Sequence, residues 1–153
     1  MILFEFKFDS SGLIYTTIKQ NKILERESLL KYASNIWQFF AELSNEENNF
    51  IPPDNIQFKP TKKIAHRTSP TNIGFYLQSI LSAYDLQIIN LEEVVLRLNQ
   101  TLVTLQRAPK YKGHLYNWYD TKTLIPLSRY VSTVDSGNYV ASLISVVEFC
   151  KEL

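Results

Sequence analysis

Two hydrophobic periods divide the chain. Over residues 1–24 the apolar positions alternate in the manner of a strand. Ile2, Phe4, Phe6 and Phe8 share one side, with Glu5, Lys7 and Asp9 among the others. Asp9-Ser10-Ser11-Gly12 reads as a turn and Leu13 to Ile18 as a second short strand, so this segment is expected to form a short β-hairpin. From Glu25 the apolar spacing changes to three and four. Leu29, Leu30, Ala33, Ile36, Trp37, Phe40 and Leu43 recur on one helical face, opposite Glu25, Arg26, Lys31, Ser34 and Gln38. This predicts an amphipathic helix ending near Ser44-Asn45.

A long polar connection follows, over residues 45–69, containing Pro52, Pro53 and Pro60. Ser69 is placed to cap a helix and Pro70 suits its first position, where a missing N–H costs nothing. That helix, to about Leu86, is apolar most of the way round and is expected to be buried on several sides. Asn90 with Glu93 three residues later makes a capping box for a second amphipathic helix, to about Arg107. Another long connection holds Gly113 to Asp120 and Arg129 to Asn138. It leads to a last helix, capped by Thr133 or Asp135, whose Val140 to Cys150 are again apolar nearly all round. The order amphipathic, polar loop, apolar occurs twice, as in repeated helical hairpins. If the two apolar helices run parallel, both loops lie at one end, beside two positive helix termini. An α-solenoid and an α/α toroid both fit.

Composition narrows this reading. The chain has 153 residues, 45% hydrophobic and 20% charged, which suits one globular domain with a core. A net charge of +1 gives no electrostatic basis for binding nucleic acid or an anionic membrane. Lys59, Lys62 and Lys63 are too small a cluster to change that. The single cysteine, Cys150, excludes an internal disulfide and a cysteine-based zinc site, and its apolar helix suggests a buried, inert thiol. No apolar run reaches membrane-spanning length, and Glu5 and Lys7 argue against a secretory signal. A cytoplasmic protein is expected. No phosphate-binding loop, dinucleotide fingerprint or serine elbow is present, and no cofactor or metal is expected.

The loops carry the candidate chemistry. Trp118 lies between Asn117 and Tyr119-Asp120, and aromatics mixed with amides, carboxylates and guanidinium suit a carbohydrate. Each residue also has a structural explanation. Trp118 fits as core at the end of the bundle. Arg67 suits a clamp on loop carbonyls or a carboxylate, and Asn72 and Asn138 suit bonds to neighbouring loops. Asp135 fits as a cap, and His66 and His114 are too isolated for metal ligation.

Four motifs in order resemble the cyclic β-1,2-glucan synthases. They are Pro52-Pro53-Asp54-Asn55, Ala65 to Gly74, Gly113-His114 with Tyr116 to Thr121, and Tyr130 to Asn138. The match covers roughly residues 25–153 and falls in the central glucoamylase-like region of those large proteins. The resemblance implies a partial α/α toroid of the six-hairpin glycosidase type, with residues 1–24 a divergent segment. It implies a β-1,2-glucan ligand, contacted by Arg67, Thr68, Asn72, Asn117, Trp118, Asp120, Asp135 and Asn138. The family closes glucan chains by transglycosylation, which needs a nucleophile and an acid/base carboxyl group. The glutamates expected to supply them lie outside this chain, which brings about two hairpins. The chain is therefore expected to be a non-catalytic fragment that self-associates or needs a complementary fragment. Two alternatives remain open. One is a helical protein-interaction module. The other is part of a split enzyme, active with a complementary chain or through Asp120 and Asp135 as a pair.

Overall fold

The computed structural model describes the backbone of residues 13–153 and the side chains of residues 24–153. The strand expected at Ile2–Phe8 lies outside the described residues. Leu13 to Ile18, expected as its partner, is helical instead. The 31 residues Leu13–Leu43 contain no glycine or proline and form one helix, α1. Nucleating a helix costs far more than extending it, so a run free of breakers propagates through a short alternating segment. α1 stops at Asn45, whose side chain accepts the N–H of Asn48 across a 3-10 turn (Glu46–Asn48), and Asn49 turns left-handed at φ 51°.

Three more helices follow among the described residues: α2 (Pro70–Asp85), α3 (Leu91–Arg107) and α4 (Thr133–Glu152). Local chemistry starts each. Ser69 accepts from the N–H of Asn72 with Pro70 in the first position, and Asn90 accepts from Glu93 N–H. Ser132, not Thr133 or Asp135, caps α4. It is the last extended residue, so its hydroxyl turns back to accept the N–H of Asp135 at 3.2 Å. Three two-stranded antiparallel pairs occupy the loops: β1 (Ile56–Gln57) with β2 (Lys63–Ile64), β3 (Arg67–Thr68) with β6 (Tyr119–Asp120), and β4 (Lys110–Tyr111) with β5 (His114–Leu115).

α2 and α4 run parallel, as the repeat predicts. Contacts advance together along both, from Thr71 with Asn138, through Gly74 with Ser142, to Tyr84 against Phe149. A Cβ at Gly74 would lie 2.7 Å from Ser142 Oγ and 3.3 Å from Ser142 Cβ, so a larger residue there would force Ser142 to shift. α2 is the centre of the larger core cluster, which joins its Tyr76, Leu77, Ile80, Leu81 and Ala83 to Trp37, Val94, Leu98 and Val146. Arg97 ties three helices. Its guanidinium lies 5.0 Å over Trp37, and it donates to Glu93 at 2.8 Å and to the Tyr76 hydroxyl at 3.2 Å.

α4 departs from the expectation of burial. Ser142 and Val146 are its buried residues, while Val140, Ile144 and Val147 face outward. Cys150 is likewise exposed rather than buried. Among the described residues, no helix is long and apolar enough to cross a membrane.

Candidate functional site

The two connections, residues 44–69 and 108–132, meet at one end because the helices they feed are parallel. β3 and β6 lock them together, with Arg67 opposite Asp120 and Thr68 opposite Tyr119. On its other side the segment 117–120 is held by residues 125–130. Trp118 O accepts the N–H of Leu127, and the N–H of Asn117 donates to Tyr130 O.

Beneath this sheet lies a polar lock. Asn48 is buried, and its Oδ1 accepts the Thr121 hydroxyl at 2.6 Å and meets His66 Nδ1 at 2.8 Å. Its Nδ2 donates to Leu43 O at 2.9 Å, so Oδ1 faces two donors and His66 carries its proton on Nδ1. One amide thus joins the end of α1 to both loops. A second support is Tyr119, packed among Ile51, Ile73, Leu105, Ala108 and Leu115. Its hydroxyl donates to Pro109 O and accepts the N–H of Tyr116, and burial pushes its phenol pKa up.

On this base the polar residues form a continuous chain. Asp54 Oδ2 accepts from Arg67 Nε at 3.2 Å and Nη2 at 3.1 Å, while Oδ1 accepts from Asn72 Nδ2 at 3.1 Å. The guanidinium of Arg67 lies 4.8 Å over the Trp118 ring. The Asn117 amide, in the orientation that satisfies its neighbours, accepts from Trp118 Nε1 and donates to Asp135 Oδ2, both at 2.9 Å. Asn72, Asp54, Arg67, Trp118, Asn117 and Asp135 therefore hold one another in place. The cluster is an open rim, and the 460 Å³ and 450 Å³ grooves along α1 do not touch it.

The remaining expected residues fall in different places. Asn138 stands beside the rim, donating to Thr71 Oγ1 at 3.2 Å. Thr68 is fully buried, because the strand alternation that turns Arg67 outward turns Thr68 in, so a ligand at the rim does not reach it. Asp120 closes its own turn. Its Oδ1 accepts from Lys122 N–H, Thr123 N–H and the Thr123 hydroxyl. Burial works to raise its pKa, but these bonds outweigh it and hold the carboxyl below its ordinary value. Asp120 and Asp135 share no hydrogen-bond partner.

Trp118 is half-buried and belongs to neither core cluster, so it is not the plug of the bundle. Arg67 is the carboxylate clamp that its chemistry suggests. Asp54 was missing from the expected site, although it is the acceptor that fixes Arg67 and Asn72. The signal lay in Pro52-Pro53-Asp54, a carboxylate on a stiff, buried turn. Among the described residues, no group of three or more His, Cys, Asp or Glu could hold a metal ion.

Residues 31–143 match the model of a family described as "Protein of unknown function (DUF3131)". The chain is also 50% identical over 127 residues to the cyclic beta-(1,2)-glucan synthase NdvB of Rhizobium meliloti (strain 1021). That match takes in 82% of this chain but 4% of the relative. A glucoamylase-like protein from Bacteroides fragilis NCTC 9343 superposes with a TM-score of 0.68 at 17% identity, over 81% of this chain and 31% of that one. An endo-beta-1,2-glucanase from Chitinophaga pinensis superposes with a TM-score of 0.66 at 15% identity, over 78% and 30%. The fold is a partial glucoamylase-like helical toroid. The resemblance to cyclic β-1,2-glucan synthases holds across most of the chain.

Proposed function

This chain belongs to the DUF3131 family, and from that premise we propose that its loop rim binds β-1,2-linked glucan as a non-catalytic part of a glucan-processing domain. The carrying observation is Trp118, held edge-on by Asn117 and face-on by Arg67 on an open surface. Half of the residues over the matching stretch are those of a protein named for that polymer. A ring fixed in this way meets a sugar with little ordering cost, while the amides and carboxylates around it satisfy hydroxyls. Arg67, Asn72, Asn117, Trp118, Asp135 and Asn138 form the contact surface. Asp120 and Thr68 shape it from within.

Binding is favoured over turnover because the carboxylates are occupied. Asp54 is tied to Arg67 and Asn72, Asp120 to Thr123 and Asp135 to Asn117. Retaining glycoside chemistry calls for two carboxyl groups roughly 5 Å apart across the scissile bond, one as nucleophile and one as acid/base. A cytoplasmic setting belongs to the same reading.

An amide-resolved NMR titration with linear β-1,2-glucan, against β-1,3-glucan as control, tests this. The expected shifts fall at residues 52–55, 66–72, 117–120 and 135–138, with the β-1,2 polymer alone. Trp118→Ala is expected to weaken binding at least about tenfold, equivalent to about 1.4 kcal/mol. Iodide is expected to quench Trp118 and spare buried Trp37, with glucan protecting Trp118. Spectra unmoved by the β-1,2 polymer, or moved equally by both sugars, would sink the proposal.

A further inference from the structure

The guanidinium of Arg67 is fixed on an edge and on a face. Pro52 and Pro53 are buried and stiffen the approach to Asp54, whose N–H donates to Ala65 O at 3.1 Å. That bond lays the Asp54 turn beside the strand leading into β3, and Asp54 and Arg67 meet across it. Asp54 Oδ2 takes one edge of the guanidinium, Nε and Nη2, and also accepts from Asn55 Nδ2 at 3.0 Å. Oδ1 is held by Asn72. Trp118 supports the plane from beneath, 4.8 Å from ring centroid to guanidinium carbon. Nη1 takes no hydrogen bond among the described residues. Exposure runs the same way, 52% for the Arg67 side chain against 19% for Asp54.

We infer, on the glucan reading proposed above, that Arg67 makes the outermost contact with the sugar through its Nη1 edge, and that Asp54 is the positioning residue that aims it. A guanidinium presents its donors as a rigid planar fork. A fork already held by its back edge and one face loses little further freedom on binding. Neighbouring hydroxyl oxygens of a sugar suit its free donors. Charge favours a neutral ligand of this kind. The six linked residues set one cation, Arg67, against two carboxylates, Asp54 and Asp135, so an anion would meet excess negative charge. Both oxygens of Asp54 are engaged, so it reaches the ligand through Arg67 and not directly.

Asp54→Asn isolates the link, because its amide oxygen can still accept from Asn72 while its NH2 meets the donors of Arg67. In NMR of the 153-residue chain, the Arg67 Nε–H is expected to be protected from exchange and shifted by the Trp118 ring current. Asp54→Asn is expected to lose both signatures with an unchanged helical circular-dichroism spectrum. An Nε–H equally protected in the variant overturns the aiming role. In titrations with linear β-1,2-glucan, Asp54→Asn is expected to weaken binding about two- to tenfold, the effect of one freed side chain that must be ordered again. Arg67→Lys keeps the charge without the fork and is expected to lose at least as much. In an Arg67→Ala background, Asp54→Asn is expected to change nothing further, since the group it aims is gone. An equal loss with and without Arg67 would mean that Asp54 only supports the loop, and overturns the inference. Glucan affinity left intact by Arg67→Ala overturns the contact. A parent chain that binds no β-1,2-glucan brings down the glucan reading itself and this contact with it, even where the Nε–H behaves as expected.

Discussion

α2 and α4 are closely matched as sequences and differ sharply as structures. Both are serine-capped, run in parallel and carry apolar residues around most of their circumference. α2 buries Ile73, Tyr76, Leu77, Ile80, Leu81 and Ala83, and packs against α1, α3 and α4. α4 packs chiefly against α2 and leaves Val140, Ile144 and Val147 open. Apolarity around a helix therefore records how many neighbours the fold supplies, and α4 carries more than the described residues provide. The polar end behaves differently. Asp54, Arg67, Asn72, Asn117, Trp118 and Asp135 engage one another there, although Asn55 Oδ1, Thr68 Oγ1 and Ser136 Oγ are buried at that end without a partner.

The largest expected effect separates the two helices directly. Leu77→Ala is expected to cost about 2–5 kcal/mol of unfolding free energy. Val147→Ala is expected to stay within about 0.5 kcal/mol. Urea unfolding of the parent chain and the two variants measures both. Similar losses would mean that α4 packs its outer face within the protomer, and the contrast would be lost.

A middle effect probes the polar end. Asn48→Ala leaves the Thr121 hydroxyl and His66 Nδ1 without their acceptor and Leu43 O without its donor. Stranding buried polar groups costs about 1–3 kcal/mol. Hydrogen exchange is expected to rise at Arg67–Thr68 and Tyr119–Asp120, whose pairing rests on this amide, with little change in α4. Faster exchange spread evenly over all helices would deny Asn48 its role as a local lock.

What was legible in the sequence follows from the range of the forces involved. Ser69-Pro70 and Asn90 with Glu93 act over three residues, so the helix starts could be read directly. The repeat put both loops at one end because helix direction follows from chain order. The carboxylate partner of Arg67 was not legible, because Asp54 stands 13 residues away and reaches it through the fold. The enclosure of Thr68 depends on which way β3 faces, set by its pairing with a strand some 50 residues on. The strand read at Leu13–Ile18 failed because six alternating residues are outweighed by a long breaker-free helix downstream. Cys150 was misread because an apolar helix looks buried until its neighbours are counted.

The smallest expected effect sharpens the same contrast through pH. Burial tends to raise the Asp120 pKa, but the Thr123 amide and hydroxyl and the Lys122 amide outweigh it, so the folded value lies below the unfolded one. The unfolded chain then takes the proton first. The stabilisation is fully present above the ordinary aspartate pKa, about 3.9, and is lost as pH falls through the folded value. Asp120→Asn keeps an acceptor oxygen in the turn but removes the charge, so its urea midpoint should fall less than that of the parent chain between pH 5 and 2.5. Glu47 is lowered in the same direction by its bond and charge pairing with Lys122. Repeating the series with Glu47→Gln therefore separates the two carboxylates. Val147→Ala, on the open side, is expected to keep the parent slope. If Asp120→Asn keeps it too, the turn does not hold its carboxylate in the way its three bonds imply.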